Sequence, residues 1–257
     1  EDCMSKPTSS PVHPDQHAGL KIKEQIDFTA LAQRQFAALT VQEFAQAASS
    51  YPVVLLKDGQ TGAFVSVALW GFEAEQNVLL NASDNVWDAV HLPNEVQCEP
   101  FLLGPCVSDP KTLTMHINEA SALVQKEEGH VLFDNEGETA YLKSMQAKLS
   151  EHYQNQVFTR DFINLMLEKN LLKEIEIMVA YQDDKVRRVK GLYTIDEEAL
   201  SALDETTVVS FFKRNLFVPI YAMLGSLTQF NRLMKSNNKN DTYVKIARLQ
   251  MRTPGAE

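Results

Sequence analysis

The segment EIEIMVAYQDDKVRRVKGLYTI, Glu174 to Ile195, decides the fold class. Ile175, Ile177 and Val179 alternate with Glu174 and Glu176, which is the period of a strand with one face toward water. Asp183 and Asp184 turn the chain, and Val186 to Ile195 returns as a second strand. A second hairpin lies upstream in VVLLKDGQTGAFVSVALWGF, with Val53 to Leu56 and Phe64 to Phe72 as strands. Asp58-Gly59 and Gly62 supply its turn. Both of these strands are apolar on both faces, so they belong inside a sheet. Hairpins separated by groups of helices point to an α+β fold with a largely antiparallel sheet.

The remaining chain reads as helices, shorter strands and tails. TVQEF places Glu43 three residues after Thr40, the spacing of a capping box, and Pro52 stops the helix that follows. VWDAVHLPNEVQCEPFLLG reads as a short helix closed by Pro100. TLTMHIN alternates, which puts His116 on the polar face of a strand, hydrogen-bonded or solvated. Ala140 to about Leu172 reads as helical, with or without a break, and Asn170 as its stop. Asp196 caps DEEALSAL, and ETTVVSFFKRNL and FVPIYAMLGSLTQFNRLMK give two more helices, the latter with a broad apolar stripe. Residues 1–18, rich in Pro, Ser and His, read as a disordered tail in which His13 and His17 are solvated. Residues 19–235 read as one domain, and 236–257 as a polar tail.

The chain has 257 residues, enough to bury a core without disulfides or metal. Its formal charge is −10 and its pI about 5.1, which disfavours generic nucleic-acid binding. The basic run DDKVRRVKG reads as a solvated hairpin face. Three cysteines, Cys3, Cys98 and Cys106, give neither a disulfide framework nor a zinc knuckle. Their spacing leaves a Cys98–Cys106 bridge open beside the reading of reduced thiols. No apolar run reaches the roughly 18 residues of a membrane helix, and no hydrophobic signal core is visible, so a cytoplasmic location is expected.

No GxGxxG, Walker A, GxSxG or HExxH motif occurs. In DNEGE, Asp134, Asn135 and Glu136 are consecutive, which breaks the alternating ligands of a calcium loop. The segment reads instead as a turn, with Gly137 free to take a positive φ and Thr139 capping the next helix. No metal, cofactor or catalytic residue is therefore expected.

The succession YPVVLLKDGQTGAFVSVALWGF, PFLLG, LFDNEGETAYL, GLYTIDEEALSAL and FVPIYAMLGSL resembles the bacterial SapC family. HAGLKI, His17 to Ile22, is similar to the start of that family's pattern. Two departures stand out: Met223 occupies a position where histidine is common, and VHLPNEVQCEPF replaces a more basic segment. The resemblance implies an association with paracrystalline surface layers. It also implies neighbouring genes for TonB-dependent receptors, tryptophan-halogenase-like flavoproteins and cupin-like oxygenases. The role so implied is that of a non-catalytic accessory protein, with a protein partner, in uptake or modification of a small molecule or peptide. The alternatives are an enzyme or enzyme subunit working with such a flavoprotein or oxygenase, and a surface-layer component. The family-like turns and aromatics supply the candidate contacts: Tyr51, Trp70, Phe101, His116, Asp134, Gly137, Tyr193 and Tyr221. Each is also a plausible turn or core residue by type alone.

Overall fold

The computed structural model describes residues 9–26, 28–81, 86–106, 108–109 and 111–255. In chain order the principal strands are β1 (Ser9–Pro11), β2 (Phe36–Ala38), β3 (Val53–Lys57), β4 (Phe64–Leu69), β5 (Phe101–Pro105), β6 (Leu113–Asn118), β7 (Leu172–Tyr181), β8 (Val186–Ile195) and β9 (Ile246–Arg252). The principal helices are α1 (Ala140–Glu168), α2 (Glu205–Lys213), α3 (Phe217–Ser226) and α4 (Phe230–Lys239). The fold is α+β, and the strand pairs are antiparallel. The chain divides into two compact units: Glu1–Ala30 with Glu95–Gln154, and Leu31–Asn94 with Asn155–Glu257.

The second unit is built on a six-stranded sheet of order β9-β7-β8-β3-β4-β2. Both hairpins read from the sequence lie in it. Asp58 closes the β3–β4 turn through Oδ1, which accepts from the backbone N–H of Gln60 and Thr61, and Gly62 supplies a φ of 72°. The β7–β8 turn contains Asp184 at φ 65°, the left-handed region that Asp tolerates better than most residues. The face of β7 expected to be wet is partly covered, since Glu176 is buried. Strand β9 pairs with β7 from Glu176 to Tyr181, so much of the expected C-terminal tail is a sheet edge. Helix α3 is anchored to the sheet where Ser226 Oγ accepts from Val53 N at 2.8 Å. The helix expected over FVPIYAMLGSLTQF is divided by a 3-10 turn at Leu227–Gln229, and α4 continues past Met234 to Lys239.

The first unit pairs β1, β6 and β5 in that order over a core of Ile22, Phe101, Met115, Ile117, Leu132, Leu142 and Met145. Helix α1 contributes its residues up to Gln154 here and those from Asn155 onward to the second unit. It is unbroken, and Asn170 ends the segment at φ 53°. Residues 9–17, expected to be a disordered tail, instead form β1 and a helical turn, Pro14–His17. The reason is His17, which is fully buried. Its Nδ1 accepts from His13 N at 2.9 Å, and its Nε2 lies 3.3 Å from Ser10 Oγ and 3.4 Å from Glu119 Oε1. Composition does not reveal a side chain that pins a polar segment. Residues 1–8 of that tail, including Cys3, lie outside the described residues. Cys98 and Cys106 are not joined in a disulfide.

Candidate functional site

Tyr51 and Trp70 come together in the second unit, ring centroids 6.5 Å apart and both fully buried. Trp87 stands edge-on to Trp70 at 5.0 Å, and the His91 ring lies 6.2 Å from Tyr51. Beneath the rings is a buried carboxylate. Glu43 reaches back to Thr40 N at 2.9 Å, as its capping-box spacing predicts, and Oε2 also accepts from Thr40 Oγ1 at 2.8 Å. Its other oxygen accepts from Asn94 N at 2.7 Å and from His91 Nε2 at 3.2 Å. Burial opposes ionisation, but the bonds from His91, Thr40 and Asn94 outweigh it and hold the carboxyl below its usual range. Tyr51 is pushed well above the usual phenol range, by burial first and then by the Glu43 charge.

The segment carrying His91 is fastened on several sides. Ser50 Oγ accepts from Val90 N and His91 N, both at 3.2 Å. Tyr51 Oη and Trp87 Nε1 each donate to His91 O at 3.3 Å. Arg232 donates to Ser50 O at 3.0 Å and Asp88 O at 2.6 Å. A carboxylate offers about four acceptor positions, and all those of Glu43 are engaged inside the protein. Glu43 thus ties its own turn, residues 40–43, to the segment 91–94. The Trp70 indole N–H has no partner among the described residues.

The other candidates lie elsewhere. In the first unit, Phe101 is buried in the core, 6.4 Å from Tyr141 between ring centroids. His116 is buried too, and of the two states expected for it, hydrogen-bonded or solvated, it takes the first. Its Nε2 lies 3.1 Å from Pro105 O, and the ring covers Gly104 so closely that a Cβ there would meet it at 2.8 Å. Asp134 and Gly137 form a two-residue-per-strand hairpin at the surface. Asp134 Oδ1 accepts from Glu136 N at 2.8 Å and Gly137 has a φ of 111°, so this corner is a turn. Thr139 caps α1 by accepting from Leu142 N at 3.3 Å. In the second unit, Tyr193 packs edge-on to Phe64 at 4.9 Å and donates to Glu174 Oε2 at 3.4 Å. Burial and then the Glu174 charge raise its pKa.

Tyr221 differs from all of these. It sits on the outer side of α3, 59% exposed, stacked on Phe217 at 6.1 Å. Local sequence explains the geometry. Asp204 caps α2 by accepting from Thr207 N at 3.0 Å, and Asn215 at φ 55° ends it. Pro219 in the first turn of α3 needs no N–H partner. Thr207 and Phe211 turn inward on α2, and Ile220 and Met223 on α3. Val208, Val209, Phe212, Val218 and Tyr221 are left outward, with Phe212 75% exposed. Phe212 was readable as part of a helix, but its outward direction was not, because Phe211 beside it suits the core equally well.

Concave sites exist beside these residues. A cavity of about 310 Å³ in the second unit is lined by Glu73, Gln76, Tyr181, Asn237, Tyr243 and Val244 among others. Tyr181 Oη donates to Glu73 Oε1 at 2.6 Å, and Arg187 pairs with the other carboxylate oxygen. Burial first, then the bond to Glu73, raises the Tyr181 pKa. His116, Tyr193 and Tyr221 are not among the residues lining this cavity, nor those lining three others, at Val78–Leu80, at Lys23–Gln25 and at Leu113–Met115. No group of His, Cys, Asp and Glu among the described residues is arranged to hold a metal ion. No helix among them is long and apolar enough to cross a membrane.

No curated protein and no solved structure matches this chain. The model of the SapC family matches it over residues 12–233, which takes in both hairpins, the Asp134–Gly137 corner and the outward helices, and the chain belongs to the SapC family.

Proposed function

We propose that this protein is a cytoplasmic accessory protein that works by binding another chain. The observation that carries the reading is the outward apolar face of α2 and α3, with Phe212 and Tyr221 at 75% and 59% exposure. Exposed aromatic side chains grouped on consecutive helices are enriched at interaction sites, where burying them releases water. The saturated Glu43 and the inward-facing Tyr51 support the same reading, because their polar groups serve the fold. The setting implied by the family resemblance is uptake or modification of a small molecule or peptide. Affinity capture from the native host tests it, with wild type and Phe212→Ser compared as baits. A defined partner identified by mass spectrometry and lost with Phe212→Ser is expected. Indistinguishable captures from the two baits would overturn the reading.

A second reading, an enzyme subunit acting with a flavin-dependent halogenase-like or cupin-like oxygenase partner, draws on the Tyr181–Glu73 cavity. It requires that Tyr181→Phe impair turnover of tryptophan or peptide substrates by the combined proteins. Unchanged turnover removes it.

A further inference from the structure

Helix α2 carries its own complement. Thr207 and Phe211 mark its buried side. Opposite them, Glu205, Val208, Val209, Phe212 and Lys213 follow one another at helical intervals and are all exposed. The stripe therefore begins with an acid, continues through three apolar side chains and ends with a base. Neither Glu205 nor Lys213 makes an ion pair among the described residues. The signs suit the helix dipole, but the dipole does not call for valines and a phenylalanine between the charges on the same face.

We infer that a second copy of this chain docks on this face, with the two α2 helices antiparallel about a two-fold axis at Val209. The inference rests on the reading of α2 and α3 as an interaction face and names its occupant. Glu205 and Lys213 lie four residues either side of Val209, about 6 Å along the helix in each direction. A two-fold axis there sets Glu205 of each copy opposite Lys213 of the other. Val209 meets its own equivalent, and Phe212 lies against the first turn of the other helix. This is the self-complementarity an isologous interface needs. A partner of different sequence would have to supply the matching base–apolar–acid order independently, whereas a second copy supplies it by symmetry. Val218 and Tyr221 are further exposed apolar side chains on α3, the next helix. The patch remains small beside a standard interface of roughly 20–30 residues a side, so the dimer is weak and concentration-dependent.

Sedimentation velocity on the full chain, from micromolar to millimolar concentration, reads the self-association directly. Wild type is expected to shift from monomer to dimer across that range. Glu205→Lys sets like charges against each other twice per dimer and is expected to weaken association by about tenfold or more. Lys213→Glu is expected to do the same. The double variant Glu205→Lys/Lys213→Glu restores the pairing with signs exchanged and is expected to recover wild-type association. Thermal melting of each variant confirms that the fold is intact. A monomer at every concentration, or a double variant as weak as the single ones, overturns the inference. Photo-crosslinking in the host from an unnatural phenylalanine at position 212 separates the two failures. An adduct of twice the chain mass supports the second copy. An adduct with a different chain overturns it while leaving the interaction reading standing. No adduct overturns both.

Discussion

Tyr51 and Tyr221 are the same residue type, and both stand in family-like segments. Tyr51 is fully buried, donates to His91 O and packs on Trp70 beside the Glu43 carboxylate. Tyr221 is 59% exposed on a helix whose neighbour presents Phe212 to solvent. The regions around them invert the usual distribution, with charge inside and apolar surface outside. The first is affordable because each Glu43 oxygen takes two hydrogen bonds, so the buried charge is compensated. The second has no such compensation within the described chain. The difference shows that residue type alone does not fix whether a side chain is buried and bonded or left exposed. Removing the compensation is therefore the strongest test. Glu43→Ala leaves Thr40 N, Thr40 Oγ1, Asn94 N and His91 Nε2 without their acceptor, and is expected to cost about 3–5 kcal/mol in urea unfolding. A loss below about 1 kcal/mol would mean that the knot is not structural.

Protonation probes the same contrast more gently. The folded-state pKa of Glu43 lies below its ordinary value of 4.5. A depressed carboxyl binds its proton more readily in the unfolded chain. Its stabilisation is therefore fully present above pH 4.5 and is lost as pH falls through the folded pKa. Wild type should lose stability more steeply than Glu43→Gln below that point. The two should run parallel above it, with the offset between them narrowing as the acid is approached. Parallel curves throughout would show that the Glu43 charge contributes nothing to folding.

These two regions also mark how far the sequence alone carries. Alternation located the β7–β8 hairpin, because a strand's period is a local property of Ile175, Ile177 and Val179, and apolar runs either side of the Asp58–Gly62 turn located the β3–β4 hairpin. Asn170, Asp196 and Thr139 were recognisable as caps and stops for the same reason. The Thr40–Glu43 contact was legible at a separation of three residues. The His91 contact, which accounts for the other Glu43 oxygen, spans 48 residues and leaves no local trace. The same holds for His17, whose contact with Glu119 spans 102 residues and gives order to a segment of disordered composition. Strand β9 was missed because Ile246–Arg252 has a single fully buried residue, and its pairing with β7 is what makes it a strand. On α2, periodicity identified a helix. It could not choose between Phe211 and Phe212 as the core residue, since that depends on tertiary contacts such as that of Phe211 with Phe217 of α3.

The smallest expected effect on stability comes from the exposed side. Phe212 is 75% exposed, so most of its ring is in water in the folded monomer as well as in the unfolded chain. Phe212→Ser removes little apolar contact and opens no cavity. Its unfolding free energy at low concentration should stay within about 0.5 kcal/mol of wild type, the range of ordinary surface changes. A buried phenylalanine truncated in the same helix, Phe211→Ala, should lose about 3–5 kcal/mol. The informative measurement is the concentration dependence of the melting temperature. If the face is occupied in solution, wild type gains stability as protein concentration rises, by mass action, and Phe212→Ser does not. Identical concentration dependence in the two proteins would mean that Phe212 is a bare surface residue. The contrast with Tyr51 would then reduce to burial alone.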